Sequence, residues 1–171
     1  MSTMLPQARL SCQPGNASIE AMTATKPLTA REIRLWNAWE IFTQAVSSRI
    51  SREVADATGL SAADYRVLSF LVDRGQVRQR ELASALAWDK SRISHQLTRM
   101  QERDLLKRTK TAERGSNVAI TAAGRAALES ARPVHARSVR RYLIDRLTPA
   151  QVGAILAIGG DATGGSATSD R

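Results

Sequence analysis

The sequence is poor in the side chains from which most catalytic and metal sites are built. It contains one cysteine, Cys12, and two histidines, His95 and His135, which lie far apart in the chain. A single cysteine excludes an internal disulfide and favours a reducing compartment. No cluster of Cys, His, Asp and Glu has metal-ligand spacing, and neither a Gly-rich phosphate loop nor a nucleophile elbow is present. We therefore expect no enzyme activity, no metal and no cofactor.

Long apolar runs are also lacking. No segment approaches the roughly 18 consecutive apolar residues of a membrane-spanning helix. The N-terminus lacks the basic and apolar segments of a signal peptide. The sequence therefore predicts a cytoplasmic protein without a membrane partner.

Acidic residues are outnumbered, and the basic excess is unevenly distributed. The chain has 25 Lys and Arg against 16 Asp and Glu, a net charge of +9. Residues 78–114 alone hold ten basic and five acidic side chains, so this segment supplies more than half of the excess. A strongly basic balance points first to nucleic acid and second to an anionic membrane surface.

Apolar periodicity is confined to residues 28–158. Residues 1–27 mix Ser, Thr, Gln, Pro, Gly and Asn without a repeat, which predicts a disordered tail. We expect the last helix to end at Gly159-Gly160, because the Gly-, Ser- and Thr-rich residues 159–171 predict a second flexible tail. The region between the two tails is long enough for one domain.

Capping residues indicate where the helices of the central region begin. Capping boxes occur at Thr29-Ala30-Arg31-Glu32, Ser61-Ala62-Ala63-Asp64 and Thr148-Pro149-Ala150-Gln151, and single N-caps at Asp89 and Thr121. A further short helix is predicted at Glu81–Ala87. Pro133 lies inside a helical pattern and is expected to kink or split that helix near Ala131. Two short strands, 107–110 and 117–121, predict a β-hairpin that turns near Gly115.

The helix that follows Asp89 has two distinct faces. Ile93, Leu97 and Met100 form a core-facing stripe. The opposite face carries small hydroxyls, an imidazole and two guanidiniums, in Ser91, Arg92, His95, Thr98 and Arg99. Hydroxyls permit close approach to DNA, and arginines reach guanine edges or phosphates. This face suits the major groove, although a merely solvated amphipathic helix has the same pattern.

The order of the elements predicts the fold class, which is mainly α with a small β-hairpin wing. Residues 61–121 form a winged helix-turn-helix, in which an alanine-rich helix supports the recognition helix and the hairpin is the wing. The helices at about 29–58 and 122–158 are too apolar to stand alone. We expect them to interdigitate with those of a second copy in a two-fold dimer. Such a homodimer would bind a palindromic DNA site whose half-sites lie about one helical turn apart.

Four segments carry a family resemblance in this order and spacing. They are Leu60-Ser61-Ala62-Ala63-Asp64-Tyr65, Glu81-Leu82-Ala83, the recognition helix from Trp88 to Met100, and the wing end from Arg114-Gly115-Ser116 to Thr121-Ala122-Ala123-Gly124-Arg125. Together they resemble the multiple antibiotic resistance regulator (MarR) family of bacterial transcription factors over about residues 28–158. The resemblance implies a homodimeric regulator, a repressor, that binds double-stranded DNA sequence-specifically.

The expected DNA contacts lie on the recognition helix and the wing. They are Ser91, Arg92, Ser94, His95 and Arg99 on the helix, with Lys110 and Arg114 in the wing. The wing departs from the family pattern, which carries Asp-x-Arg with a carboxylate that helps to hold the arginine entering the minor groove. Ala112 stands at the aspartate position, so Arg114 lacks its usual partner unless Glu113 replaces it.

The resemblance also implies a small-molecule effector, often aromatic or anionic, in a cleft between the dimer helices and the DNA-binding lobe. Trp36, Trp39, Phe42 and Tyr65 are candidates to line such a cleft, although aromatic residues on a dimer helix also serve as core. An effector would release DNA by favouring a spacing of the two lobes that does not fit the operator.

Two other functions fit parts of the sequence. A winged helix can contact a protein instead of DNA, but the cationic face of residues 91–99 favours DNA. The basic segment 137–143 could lie on a membrane surface, but it lacks the large apolar moment of such helices.

Overall fold

The computed structural model describes residues 26–111 and 115–163. The chain divides into two compact units, one that ends at Glu40 and one that begins at Ile41. In chain order the elements are α1 (Ala30–Thr58), α2 (Ala62–Leu71), β1 (Gln76–Arg78), α3 (Gln79–Ala85), α4 (Lys90–Glu102), β2 (Leu106–Thr111), β3 (Gly115–Ile120), α5 (Ala122–Tyr142), a 3₁₀ turn (Ile144–Arg146) and α6 (Pro149–Thr163). The predicted fold class, mainly α with a β-hairpin wing, is confirmed.

The predicted caps are all present. In the first unit the Thr29 backbone N–H donates to Glu32 at 2.7 Å. In the second unit Ser61 and Asp64 form the reciprocal capping box of α2. The Asp89 carboxylate accepts from the backbone N–H of Arg92, and single or reciprocal cap bonds also join Thr121 to Gly124 and Thr148 to Gln151. Local side-chain chemistry therefore sets where these helices begin.

The core of the second unit lies between α2, α4, α5 and a small sheet. The sheet has the strand order β1-β3-β2, with both pairings antiparallel. Its central strand places Val118 opposite Val77 on one side and Arg108 on the other. The stripe predicted on α4, Ile93, Leu97 and Met100, is buried in this core as expected. The recognition helix is therefore held by packing on its apolar side.

The predicted end of the last helix is wrong, and so is the split of the preceding helix, which was one of the two effects expected of Pro133. Pro133 does not split α5, which is continuous from Ala122 to Tyr142. A proline removes one backbone hydrogen bond, and the buried residues Ala131 and Ser138 on either side hold the helix in place. At the other end of the chain, α6 continues through Gly159 and Gly160 to Thr163. Glycine weakens a helix by about 1 kcal/mol but keeps its N–H, so it does not have to end one.

Smaller differences occur around the recognition helix. The supporting helix α3 begins at Gln79 and ends at Ala85, two residues before the predicted end. Ala87 follows with a φ of +52°, in the left-handed region that stops a helix. Both hairpin strands begin and end close to their predicted positions. None of the helices in the described part of the chain is long and apolar enough to cross a membrane.

Candidate nucleic-acid interface

The outer face of α4 is exposed as the sequence pattern predicts. Ser91, Arg92, His95, Thr98 and Arg99 are exposed, and Ser94 is half-buried at the edge of the face. One polar side chain of the face bonds within the helix itself. The Thr98 hydroxyl donates to the backbone carbonyl of Ser94 at 3.0 Å. No acidic residue lies in the first turn of α4, although Asp89 precedes it as the cap.

Trp88 anchors the start of the recognition helix. Its ring is buried, with 8% of the residue exposed. The guanidinium of Arg92 lies over this ring, with Cζ 4.5 Å from the ring centroid. The guanidinium of Arg66, from α2, lies 5.9 Å from the same centroid. Stacking of this kind restricts the orientation of Arg92 while leaving its N–H donors at the surface.

A buried polar network joins α4 to the start of α2. Asp64 accepts from Gln96 Nε2 at 2.6 Å and from Arg103 Nη1 at 2.8 Å. Gln96 Oε1 accepts in turn from Arg99 Nη2. The sequence pattern predicts Asp64 only as a cap. The one signal in the sequence was an amide, Gln96, next to the apolar stripe of α4.

The wing strand β2 is tied to the outer face of α4 by Arg108. Arg108 Nε donates to Gln101 Oε1 at 2.7 Å, and Arg108 Nη2 donates to Thr98 Oγ1 at 3.1 Å. Lys110 is exposed near the end of β2, where it pairs with Ser116 of β3. Arg114, like Ala112 and Glu113, lies outside the described residues. Sequence reasoning missed Arg108, because its partners are seven and ten residues away.

A cleft of about 290 Å³ lies in the second unit between α1, α2 and α5. Its lining residues are Ser47, Ile50, Ser51, Val54, Ala62, Tyr65, Arg66 and His135. The rings of Tyr65 and His135 are stacked, with centroids 4.4 Å apart and planes inclined by 16°. Burial lowers the pKa of His135, which favours the neutral imidazole. Arg66 is therefore the cation of this cleft.

Of the four aromatic residues predicted to line an effector cleft, Tyr65 lines this one. Phe42 is half-buried on α1 and is not among the lining residues. Trp36 and Trp39 belong to the first unit, where about half of each residue is exposed. His135, Arg66 and the two serines are lining residues that the sequence alone did not indicate.

Glu53 joins two of the helices that border the cleft, α1 and α5. The buried Ser138 hydroxyl and the Tyr142 hydroxyl, both on α5, donate to the Glu53 carboxylate on α1. Arg141 lies 3.6 Å from the same carboxylate. These bonds, first that from Ser138 and then that from Tyr142, lower the pKa of Glu53. The ionised carboxylate thus links the two helices that border the cleft.

Known proteins resemble this chain in both sequence and fold. Residues 58–115 match the model of the MarR family. AbsC, a MarR family transcriptional regulator from Streptomyces coelicolor, is 29% identical, with 82% of this chain and 99% of that chain covered and a TM-score of 0.71. Sco3205, a MarR family regulator of the same organism solved in complex with DNA, is 26% identical, with coverage of 84% and 96% and a TM-score of 0.75.

A third solved structure shares the fold at lower identity. It is BpsR of Bordetella bronchiseptica, whose DNA binding is regulated by 6-hydroxynicotinic acid. It is 23% identical, with 81% of this chain and all of that chain covered and a TM-score of 0.68. A search of the curated proteins found no match.

Proposed function

We propose that the chain is a transcriptional regulator of the MarR family, which binds a palindromic operator as a homodimer and represses transcription. The observation that carries the proposal is the exposed face of α4. It presents Arg92 and Arg99 beside small polar side chains, while its other face is locked into the core. A helix presented in this way fits the major groove, and a bound dimer would block other proteins from the same DNA.

Each recognition-helix residue has a role suited to its chemistry. Arg92 and Arg99 offer donors to guanine or phosphate, and His95 can donate to or accept from a base edge. Ser91 and the half-buried Ser94 are short enough to allow close approach and suit the backbone better than base edges. Lys110, exposed on the wing strand, suits a phosphate, and we assign Arg114 to the adjacent minor groove.

The proposed homodimer is supported by exposed apolar side chains in two segments of the chain, residues 28–41 and 144–158. In the first unit these are Leu28, Ile33, Leu35, Trp36 and Trp39, and in the second they are Ile41, Ile144, Leu156 and Ile158. Each is between 45% and 71% exposed. Exposed apolar groups of this size are typical of surfaces that associate. A second copy would cover them, and two-fold symmetry would then pair two recognition helices with two half-sites.

Duplex binding should depend steeply on salt. If each protomer neutralises about three phosphates, affinity for operator DNA should fall about 1,000-fold between 50 and 200 mM salt. Fluorescence anisotropy across a salt series measures this slope. Arg132→Ala removes a cation that pairs with Glu129 on α5 and is not among the proposed DNA contacts, so it should leave the slope unchanged. An affinity that is flat across the series would contradict the proposal.

We further assign the cleft at Tyr65 and His135 to a small planar anion that releases the operator. The stacked rings give a flat wall, Arg66 supplies a cation, and the Ser47 and Ser51 side chains supply hydroxyls. The ligand-regulated BpsR, which shares the fold, supports this assignment.

A panel of aromatic carboxylates that includes 6-hydroxynicotinate tests the cleft by thermal shift. We expect at least one member to raise the Tm of the wild type and not that of Arg66→Met, because the variant keeps the side-chain length but loses the charge. A panel in which every member leaves the wild-type Tm unchanged contradicts the assignment.

A further inference from the structure

Four polar side chains form a continuous chain of hydrogen bonds beneath the recognition helix. Arg103 and Gln96 both donate to Asp64, and Arg99 donates to Gln96. We call these four residues the Asp64 network. It begins at Gly59, whose carbonyl accepts from Arg103 Nη2 at 2.9 Å, and it ends at an arginine on the exposed face of α4. The network therefore connects the start of α2 to the proposed DNA surface.

The chemistry of its two ends allows only one orientation of the Gln96 amide. A carboxylate only accepts hydrogen bonds, so the group that faces Asp64 must be the amide NH₂. A guanidinium only donates, so the group that faces Arg99 must be the amide oxygen. Both requirements are met at once in the structure. Asp64 thus determines where Gln96 presents its acceptor, and that acceptor determines where the Arg99 guanidinium lies.

The two inner members of the network are almost fully buried. Asp64 and Gln96 are each 3% exposed. Burying polar groups costs free energy that their hydrogen bonds offset, whereas an apolar side chain of similar volume would pack without that cost. Packing alone therefore does not call for an amide at position 96. What the amide adds is the bond to Arg99.

We propose that Asp64 and Gln96 are positioning residues that hold Arg99 for contact with a guanine, and so set base preference without touching DNA. One of the five guanidinium N–H donors is occupied by Gln96, and the other four are left for the groove. Guanine O6 and N7 need two of them. Holding the guanidinium before binding lowers the ordering cost on the operator. This inference rests on the proposed function, because it requires an operator.

A double-mutant cycle tests the coupling. Gln96→Met keeps the length of the side chain but removes the amide, and should weaken operator binding about tenfold, the size of one charge-assisted hydrogen bond. In an Arg99→Ala background the same change should have almost no further effect. Arg92→Ala is the matched control background, because Arg92 stacks on Trp88 and has no bond to Gln96. There the loss from Gln96→Met should again be about tenfold.

Base preference separates positioning from a merely structural role. Gln96→Met and Arg99→Ala should both relax selection at the same single position of each half-site. Equal losses in the Arg99→Ala and Arg92→Ala backgrounds, or unchanged preference in Gln96→Met, overturn the inference while the proposed function stands. A wild type that selects no sequence overturns both. Gln96→Ala provides a second measurement of the cycle where Gln96→Met does not fold, with folding checked by circular dichroism.

Discussion

Gly124→Ala should lower the free energy of unfolding by about 3 kcal/mol, the upper part of the usual range for overpacking. A Cβ atom at Gly124 would lie 1.9 Å from the carbonyl oxygen of Leu105 and 2.8 Å from its carbonyl carbon. Both are backbone atoms of the residue immediately before β2, so they cannot move aside as the end of a flexible side chain can. The same Leu105 carbonyl accepts from the backbone N–H of Thr121. The first turn of α5 therefore sits directly on the wing.

Urea denaturation followed by circular dichroism measures this loss, and a Tm lower by about 6–12 °C should accompany it. Gly153→Ala is the matched control, since Gly153 is also helical and a Cβ there meets no atom within 4 Å. Its stability should stay within about 1 kcal/mol of the wild type. Equal stabilities of the two variants would contradict the close approach of α5 to the wing.

Arg92→Ala should lower operator affinity about 10- to 100-fold, the range of one good arginine–guanine contact. Arg92 lies in the first turn of α4, and its guanidinium is oriented by the buried ring of Trp88. The alanine variant should remain folded, because a cation–π contact made by an exposed arginine contributes about 1 kcal/mol or less.

Arg92→Lys distinguishes geometry from charge. Lysine keeps the positive charge but lacks the planar guanidinium. Compared with Arg92→Ala, the lysine variant should therefore regain the salt-dependent part of the affinity but not the base preference. Fluorescence anisotropy on the selected operator and on a scrambled duplex measures both quantities. Operator binding by Arg92→Ala as tight as that of the wild type would remove Arg92 from the interface.

Local patterns predicted most of the fold, because the features that decide it are local. The Ser61 and Thr148 capping boxes need partners only three residues away, and each begins a helix where predicted. The stripe of Ile93, Leu97 and Met100 repeats with the helical period, so its burial follows from the sequence.

The two wrong predictions about helix continuity rest on local signals. Proline and glycine are local signals for interruption, but α5 is held by buried neighbours on both sides of Pro133. Their packing outweighs the propensity penalty of the proline. The helix α6 contains two consecutive glycines and continues to Thr163, although its residues as far as Gly160 are exposed or half-buried.

The recognition face was predictable, and its support was not. Arg92, His95 and Arg99 share a face by helical spacing alone. The bond from Gln96 to Asp64 joins residues 32 positions apart, and no local pattern indicates which buried carboxylate an amide will face. No local pattern indicates the Tyr65–His135 stack either, because it joins two separate helices, α2 and α5. Contacts of this kind follow from the folded topology.

Selection of bound duplexes from random DNA tests the central claim most directly. The account predicts a palindromic consensus whose half-sites lie about one helical turn apart, because two recognition helices related by two-fold symmetry read the same sequence. Arg132→Ala should select the same consensus, and Arg92→Ala a weaker one. Failure of the wild type to enrich any sequence would contradict the account and favour a winged helix that contacts protein instead of DNA.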